Sequence, residues 1–350
     1  YVNDNYKKGL DANKFYTFVS KNKGKALSCG TNTSVNQSGT VSWSLSREAT
    51  PSSISAIWFL KKKDGKLYLY NPQSNSYFTG TAKTKTTSLC SESSAPAWDI
   101  SYDENNATCT FNMSGTDQYI NSYTETETGL YSGGSSDANN IWNVEEVNSI
   151  TISVPSTGYY LGYYPFALDM PDGMQAFVVG EVLTMKYNET DYEYAVLDPI
   201  KGGIVPAFTP AVYVGEAGKD YTVSLTPNYD LSCDAVNLLH GTTLKKTGFS
   251  TSVSPLYKVE STQDAGASAI LRTIFNTKEL VPNSSYLLKS EVGNKSKLYL
   301  QTRDFITGIS DIKGAVQDTE EIHYELNGTR AGKLQSGRVY VTSTGKTILV

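Results

Sequence analysis

Trp58, Trp98 and Trp142 lie 40 and then 44 residues apart, each inside a short apolar run. The runs are Ala56-Ile57-Trp58-Phe59-Leu60, Pro96-Ala97-Trp98-Asp99-Ile100 and Asn140-Ile141-Trp142-Asn143-Val144. Recurrence at nearly one period marks a repeat, in which no unit buries its apolar face alone and neighbouring units close a core together. The stretches between tryptophans carry strand and turn signals. Asp64-Gly65 separates Phe59-Leu60 from Leu67-Tyr68-Leu69-Tyr70, a hairpin pattern. Asn71 to Asn75 is a second turn before Tyr77-Phe78. The Trp98 run repeats the scheme, with Asp103 to Asn106 as its turn and Cys109 to Met113 as the returning strand. Tyr119-Ile120-Asn121 then parallels Tyr77-Phe78-Thr79.

Earlier in the chain, Phe15 to Val19 reads as a strand, Lys21 to Lys25 as a turn, Ala26 to Cys29 as a strand and residues 30–40 as a loop. Trp43 to Leu45 alternates, and Pro51-Ser52-Ser53 breaks the chain before the first tryptophan run. Composition agrees with strands. There are 25 Tyr against 11 Phe and 4 Trp, with abundant Ser, Thr, Asn and Gly. Tyr and Thr suit half-buried pleated surfaces, whereas Asn, Gly and Ser suit turns. An all-β protein is expected. At 350 residues, more than one core is expected as well.

Four-stranded propeller blades and β-trefoil lobes both have such a period, and three blades are too few for a propeller. Three lobes are what a trefoil needs. On the three tryptophan runs, residues 10–148 resemble the ricin-type β-trefoil family, whose lobes each end in Gln-x-Trp. Here the glutamine position holds Ala56, Pro96 and Asn140, while the tryptophan–aliphatic core feature is kept. The resemblance implies shallow sugar sites, one per lobe, in which polar side chains bond hydroxyls and an aromatic ring packs on the sugar face. Candidate ligand residues are Tyr70, Asn71 and Tyr77 in one lobe, and Tyr119, Asn121, Tyr123 and Tyr131 in another. Tyrosines that merely fill or flank a core are the competing reading for each of these.

Residues 149–305 continue in strands. Ser149 to Val154 alternates, Asp169 to Gly173 is a turn, and Met174 to Val179, Tyr192 to Leu197, Ala211 to Val214 and Tyr221 to Leu225 follow. Turn signals every eight to twelve residues favour a sandwich or open barrel. Ala265 to Phe275 reads as strand rather than helix. Asn237-Leu238-Leu239-His240-Gly241 and the Pro-led strands around it resemble β-rich modules of secreted Bacteroidetes proteins. From residue 306 onward, Tyr324-Glu325-Leu326-Asn327-Gly328-Thr329-Arg330, Gly337-Arg338-Val339-Tyr340-Val341 and the final Gly345 to Val350 run resemble the C-terminal tails of exported proteins of that group. That resemblance implies a small β unit that directs secretion; a terminal hairpin packed on the preceding domain is the alternative. The expected architecture is therefore a β-trefoil in 1–148, a β-sandwich-like domain in 149–305 and a β tail in 306–350. The expected location is secreted or at the outer surface, with any signal peptide already removed.

Function classes narrow by elimination. A formal net charge of −5 gives no electrostatic basis for nucleic-acid binding. No run of 18 apolar residues supplies a spanning helix. Cys29, Cys90, Cys109 and Cys233 are too widely spaced for a zinc site; Cys90 and Cys109 either pair or stay as buried thiols. His240 and His323 are far apart in sequence, and no hydrolase, phosphate-loop or dinucleotide motif occurs. The acidic pairs Glu125/Glu127, Glu145/Glu146 and Glu320/Glu321 are adjacent or alternate, which does not define a glycosidase cleft. Asp103-Glu104-Asn105-Asn106 lacks calcium-loop spacing. The expectation is a protein without catalytic residues, metal or cofactor that binds a glycan or a host or matrix surface in adhesion. An accessory part of a glycoside hydrolase and a purely structural, protein-binding role are the alternatives. Oligomeric state is not legible in the sequence.

Overall fold

The computed structural model describes residues 9–29, 53–81, 87–124, 128–227, 231–248, 255–273 and 279–307, with the backbone of short strands at 34–35, 41–42, 47–48, 323–325, 339–342 and 347–349. Trp43 to Leu45, Pro51-Ser52, Glu125/Glu127, Glu320/Glu321 and the side chains of the tail motif lie outside the described residues. The chain divides into two compact units, Tyr1–Leu300 and Gln301–Val350.

The first fourteen strands are β1 (Phe15–Ser20), β2 (Ala26–Leu27), β3 (Ser34–Val35), β4 (Val41–Ser42), β5 (Arg47–Glu48), β6 (Trp58–Lys63), β7 (Lys66–Asn71), β8 (Ser76–Gly80), β9 (Thr87–Cys90), β10 (Trp98–Asp103), β11 (Thr108–Met113), β12 (Tyr119–Asn121), β13 (Gly129–Tyr131) and β14 (Trp142–Glu146). Six of them close a ring. β1 pairs with β6, β6 with β7, β7 with β10, β10 with β11, β11 with β14, and β14 returns to β1. Three hairpin caps extend from it, β2–β5, β8–β9 and β12–β13. A six-stranded barrel with three caps, built from three successive sets of four strands, is a β-trefoil.

Local chemistry explains the repeat. Asp64 and Gly65 have φ of 51° and 75°, so a two-residue turn with both centres left-handed joins β6 to β7. Before each tryptophan strand stands one turn of 3-10 helix, at Ile54–Ala56, Glu92–Ser94 and Ala138–Asn140. Trp58, Trp98 and Trp142 then open β6, β10 and β14, all at most 2% exposed, and meet Phe18, Leu60, Phe78, Phe111, Ile120 and Leu130 in one core. Two of the indoles are tied to the caps: Trp58 Nε1 donates to Leu27 O at 2.8 Å and Trp142 Nε1 to Ile120 O at 3.0 Å. The second lobe puts the larger Phe78 where the others have Leu27 and Ile120. There the buried Trp98 Nε1 meets no acceptor among the described residues.

Residues after the trefoil form β15 (Ser149–Ser153), β16 (Tyr159–Gly162), β17 (Ala167–Asp169), β18 (Gln175–Tyr187), β19 (Thr190–Pro199), β20 (Ile204–Val205), β21 (Ala211–Val214) and β22 (Asp220–Thr226). Then follow β23 (His240–Thr242), β24 (Lys245–Thr247), β25 (Leu256–Ser261), β26 (Ala269–Thr273), β27 (Glu279–Leu280), β28 (Ser284–Tyr286) and β29 (Lys297–Thr302). A four-stranded sheet, β15-β22-β17-β20, faces a nine-stranded sheet, β23-β28-β16-β21-β18-β19-β29-β26-β25. The larger sheet curls until β25, at one end, meets the chain just past β28, next to the other end: Leu256 and Leu287 exchange both backbone hydrogen bonds at 2.9 and 3.0 Å. Leu161, Phe177, Val179, Leu197, Val212, Leu271 and Leu298 fill its inside. β18 and β19 form one long hairpin across an Asn188-Glu189 turn with φ of 46° and 66°; the sequence reading divided this region into two shorter strands.

The trefoil and the four-stranded sheet share a core. Phe15 packs edge-on to Phe166 with centroids 5.1 Å apart, and Phe15 and Phe59 also lie 5.1 Å apart. Ile57, Tyr70 and Tyr77 join the same cluster as Leu168, Tyr213, Tyr221 and Val223. In the second unit, β30 (His323–Glu325), β31 (Val339–Thr342) and β32 (Thr347–Leu349) form a three-stranded antiparallel sheet.

Candidate functional site

The candidate tyrosines of the sequence separate into two environments. Tyr70 and Tyr77 are 9% and 5% exposed and stand 5.1 Å apart in the shared core. Tyr70 Oη donates to Asn75 Oδ1 at 2.8 Å, and Lys61 Nζ donates to Tyr77 Oη at 2.9 Å. Burial above all, reinforced by Tyr77 and Glu92, drives the Tyr70 phenol well above its ordinary range. Asn71 is fully buried. Its amide donates to Ser55 O and Ile57 O and its Oδ1 accepts from Ser74 N, an arrangement that shapes the turn and the approach to Trp58.

The third lobe differs. Tyr123 and Tyr131 are 44% and 49% exposed, and among the described residues they are the exposed aromatic side chains. Tyr131 ends β13 of the β12–β13 cap, and Tyr123 stands two residues past the end of β12. Across that hairpin Tyr119 faces Tyr131, Ile120 faces Leu130 and Asn121 faces Gly129. Alternation along the strands sends Ile120 and Leu130 into the core and leaves Tyr119 and Tyr131 together on the outer face.

A network at the Asn121 end of this hairpin fixes it. Asn121, buried, donates through Nδ2 to Asn140 Oδ1 at 2.8 Å, and Asn140 Nδ2 donates to Gly134 O at 2.7 Å. Ser122 N donates to Asn139 O at 2.8 Å, and Asn22 Nδ2 donates to Asn139 Oδ1 at 2.6 Å. Asp137 caps the 3-10 turn: its Oδ1 accepts from Asn139 N at 2.9 Å. Gly133 sits between the ring and this carboxylate. A Cβ there would stand 2.5 Å from Asp137 Oδ2 and 3.1 Å from Tyr131 Cδ1. Ala56 and Pro96 occupy the Asn140 position of the other lobes, so the amide link is particular to the third.

Beside the cap lies a shallow depression of about 350 Å3, walled by Tyr119 and Ser135 and floored by the outer faces of β10 and β11. Asp99 and Ser101 project from β10, opposite Asn112 and Thr110 on β11. Ser114 Oγ donates to Asp99 Oδ1 at 2.8 Å, and Asn112 Nδ2 donates to Gln118 O at 3.3 Å. The lining offers one carboxylate, one amide, three hydroxyls and a phenol, and no cation.

Among the described residues, no group of three or more His, Cys, Asp or Glu is arranged to hold a metal ion, and no helix is long and apolar enough to cross a membrane. Cys90 and Cys109 are free thiols, and burial pushes Cys109 well up. The sequence reading passed over Asp99, Asn112, Asp137 and Asn139. The Asp137-Ala138-Asn139-Asn140 run before Ile141-Trp142 is a legible turn-and-cap signal, since Asp is a preferred cap for the backbone N–H groups that follow.

No family model and no curated protein matches the chain. Solved structures do. The designed three-fold symmetric protein ThreeFoil has 16% identity and a TM-score of 0.30, over 38% of this chain and 99% of its own. The ricin B-like lectin of Macrolepiota procera, solved in complex with lactose, has 14% identity and a TM-score of 0.31, over 39% of this chain and 99% of its own. The BEL β-trefoil has 11% identity and a TM-score of 0.30, over 39% of this chain and 95% of its own.

Proposed function

We propose that the trefoil is a non-catalytic carbohydrate-binding module whose ligand seats on the third lobe. The observation that carries this reading is the paired exposure of Tyr123 and Tyr131 around a cap braced by buried amides. An exposed flat ring on a rigid support packs against the C–H face of a sugar, and neighbouring planar polar groups fix its hydroxyls. Tyr131 is the stacking ring and Tyr123 a flanking one. Asp137, across Gly133 from the ring, is the polar group beside it, and Asn121 holds the loop in position through Asn140. In the same reading the protein works at the cell surface or outside it, in adhesion to glycans, and residues 306–350 serve export.

A glycan array on the full chain tests the core of this. Wild type should retain a sugar class, and Tyr131→Ala should weaken retention about tenfold, the worth of a lost ring contact with its buried area. Tyr123→Ala should weaken it less. Far-UV circular dichroism should be unchanged in both. Wild type that retains no sugar would sink the reading and turn attention to protein partners.

A further inference from the structure

We infer that the third lobe, together with β10 of the second, takes a short linear chain of neutral sugars rather than a single terminal unit, with Asp99 and Asn112 forming a second subsite; this rests on the carbohydrate reading above. The support is a row in register. Asp99 on β10 faces Asn112 on β11, Asn112 faces Tyr119 on β12, and Tyr119 faces Tyr131 on β13. Directly opposed residues of antiparallel neighbours point to one side, so carboxylate, amide and two phenol rings line up across four strands. Three strand spacings make the row roughly 14 Å long, the extent of several sugar rings laid end to end. The polar half of this row is also concave, because Asp99, Asn112 and Tyr119 share the depression of about 350 Å3.

Chemistry sets the class of ligand. At one end the rings supply flat apolar area. At the other, Asp99 accepts hydrogen bonds while Ser101, Thr110 and Ser135 both donate and accept, the complement of vicinal hydroxyls. Ser114 Oγ orients the Asp99 carboxylate at 2.8 Å, so the acceptor is fixed before the ligand arrives. The lining contains a carboxylate and no Lys or Arg, which disfavours uronic and sialic acids by like-charge contact.

The test is calorimetric titration of the full chain with neutral oligosaccharides of one to four units in gluco, galacto, manno and N-acetylgluco configuration, and with their uronic acid counterparts. Wild type should gain at least about tenfold in affinity between one unit and three, the worth of a charged hydrogen bond added to neutral ones. Asp99→Ala and Asn112→Ala should each abolish most of that gain and leave the affinity for one unit unchanged. Tyr131→Ala should weaken every length. Uronic chains should bind more weakly than neutral ones. Affinity that is flat with length, or a length gain that survives both Asp99→Ala and Asn112→Ala, overturns the second subsite and leaves the Tyr131 site standing. Absence of binding at every length overturns both.

Discussion

The three core tryptophans are an internal experiment, because the trefoil puts one side chain in three equivalent places with different polar fates. Replacing each with phenylalanine removes the same indole volume from a fully packed core, a common cost of about 1–3 kcal/mol. At Trp58 and Trp142 the change also deletes a buried hydrogen bond, 2.8 and 3.0 Å long, and takes a donor from the carbonyl of Leu27 or Ile120, which adds about 1–3 kcal/mol. At Trp98 the indole N–H has no acceptor among the described residues, so its removal relieves a desolvated donor and returns about 1–3 kcal/mol. Trp58→Phe and Trp142→Phe should therefore cost about 2–6 kcal/mol, whereas Trp98→Phe should cost about 2 kcal/mol at most and could be neutral. Urea unfolding followed by the fluorescence of the remaining core tryptophans, with thermal scans beside it, measures the differences. A gap this size moves the transition by several degrees, at about 2–4 °C per kcal/mol for a domain of 150–250 residues. If all three variants lose the same stability to within about 0.5 kcal/mol, the polar accounting is wrong and packing volume alone sets the cost.

Other expectations follow from the same geometry. Gly133→Ala should displace the Asp137 carboxylate and the Tyr131 ring, since its Cβ would stand 2.5 Å from Asp137 Oδ2. Sugar retention should fall while the melting temperature moves less than in Trp58→Phe; unchanged retention would remove Asp137 and the ring pose from the site. Phe166→Ala should cost about 3–5 kcal/mol, because a fully buried ring packed on Phe15 is lost from the shared core. A loss below 1 kcal/mol, read by urea unfolding, would show that this junction adds little. Burial pushes Tyr16 and Tyr194 up to about 12 in the folded state. A phenol whose folded pKa is raised holds its proton longer than in the unfolded chain, so its contribution is complete below about pH 10 and disappears as pH rises toward 12. Unfolding midpoints should be level up to about pH 10 and then fall together with the delayed tyrosine absorbance change; full stability at pH 12 would contradict this.

The sequence by itself determined the elements that depend on neighbours along the chain. Period-two alternation, the Asp64-Gly65 turn and the three tryptophan runs specify strands, a hairpin and a three-fold repeat, because side-chain alternation and left-handed turn residues act within a few positions. The register of β10 on β11 is legible in the same way once the Asp103 to Asn106 turn is fixed, since each step outward pairs one more residue, down to Asp99 opposite Asn112. Only tertiary structure decided which tyrosines meet solvent. Tyr77 and Tyr119 follow similar strand patterns in successive lobes, yet Tyr77 is buried against the four-stranded sheet and the Tyr119–Tyr131 face is not. That sheet is formed by residues 149–226, and its contact with the second lobe joins positions too distant in sequence for any periodicity to register. The full row Asp99, Asn112, Tyr119 and Tyr131 has the same origin: it crosses four strands, and its two halves join only when the β12–β13 cap folds beside the β10–β11 hairpin.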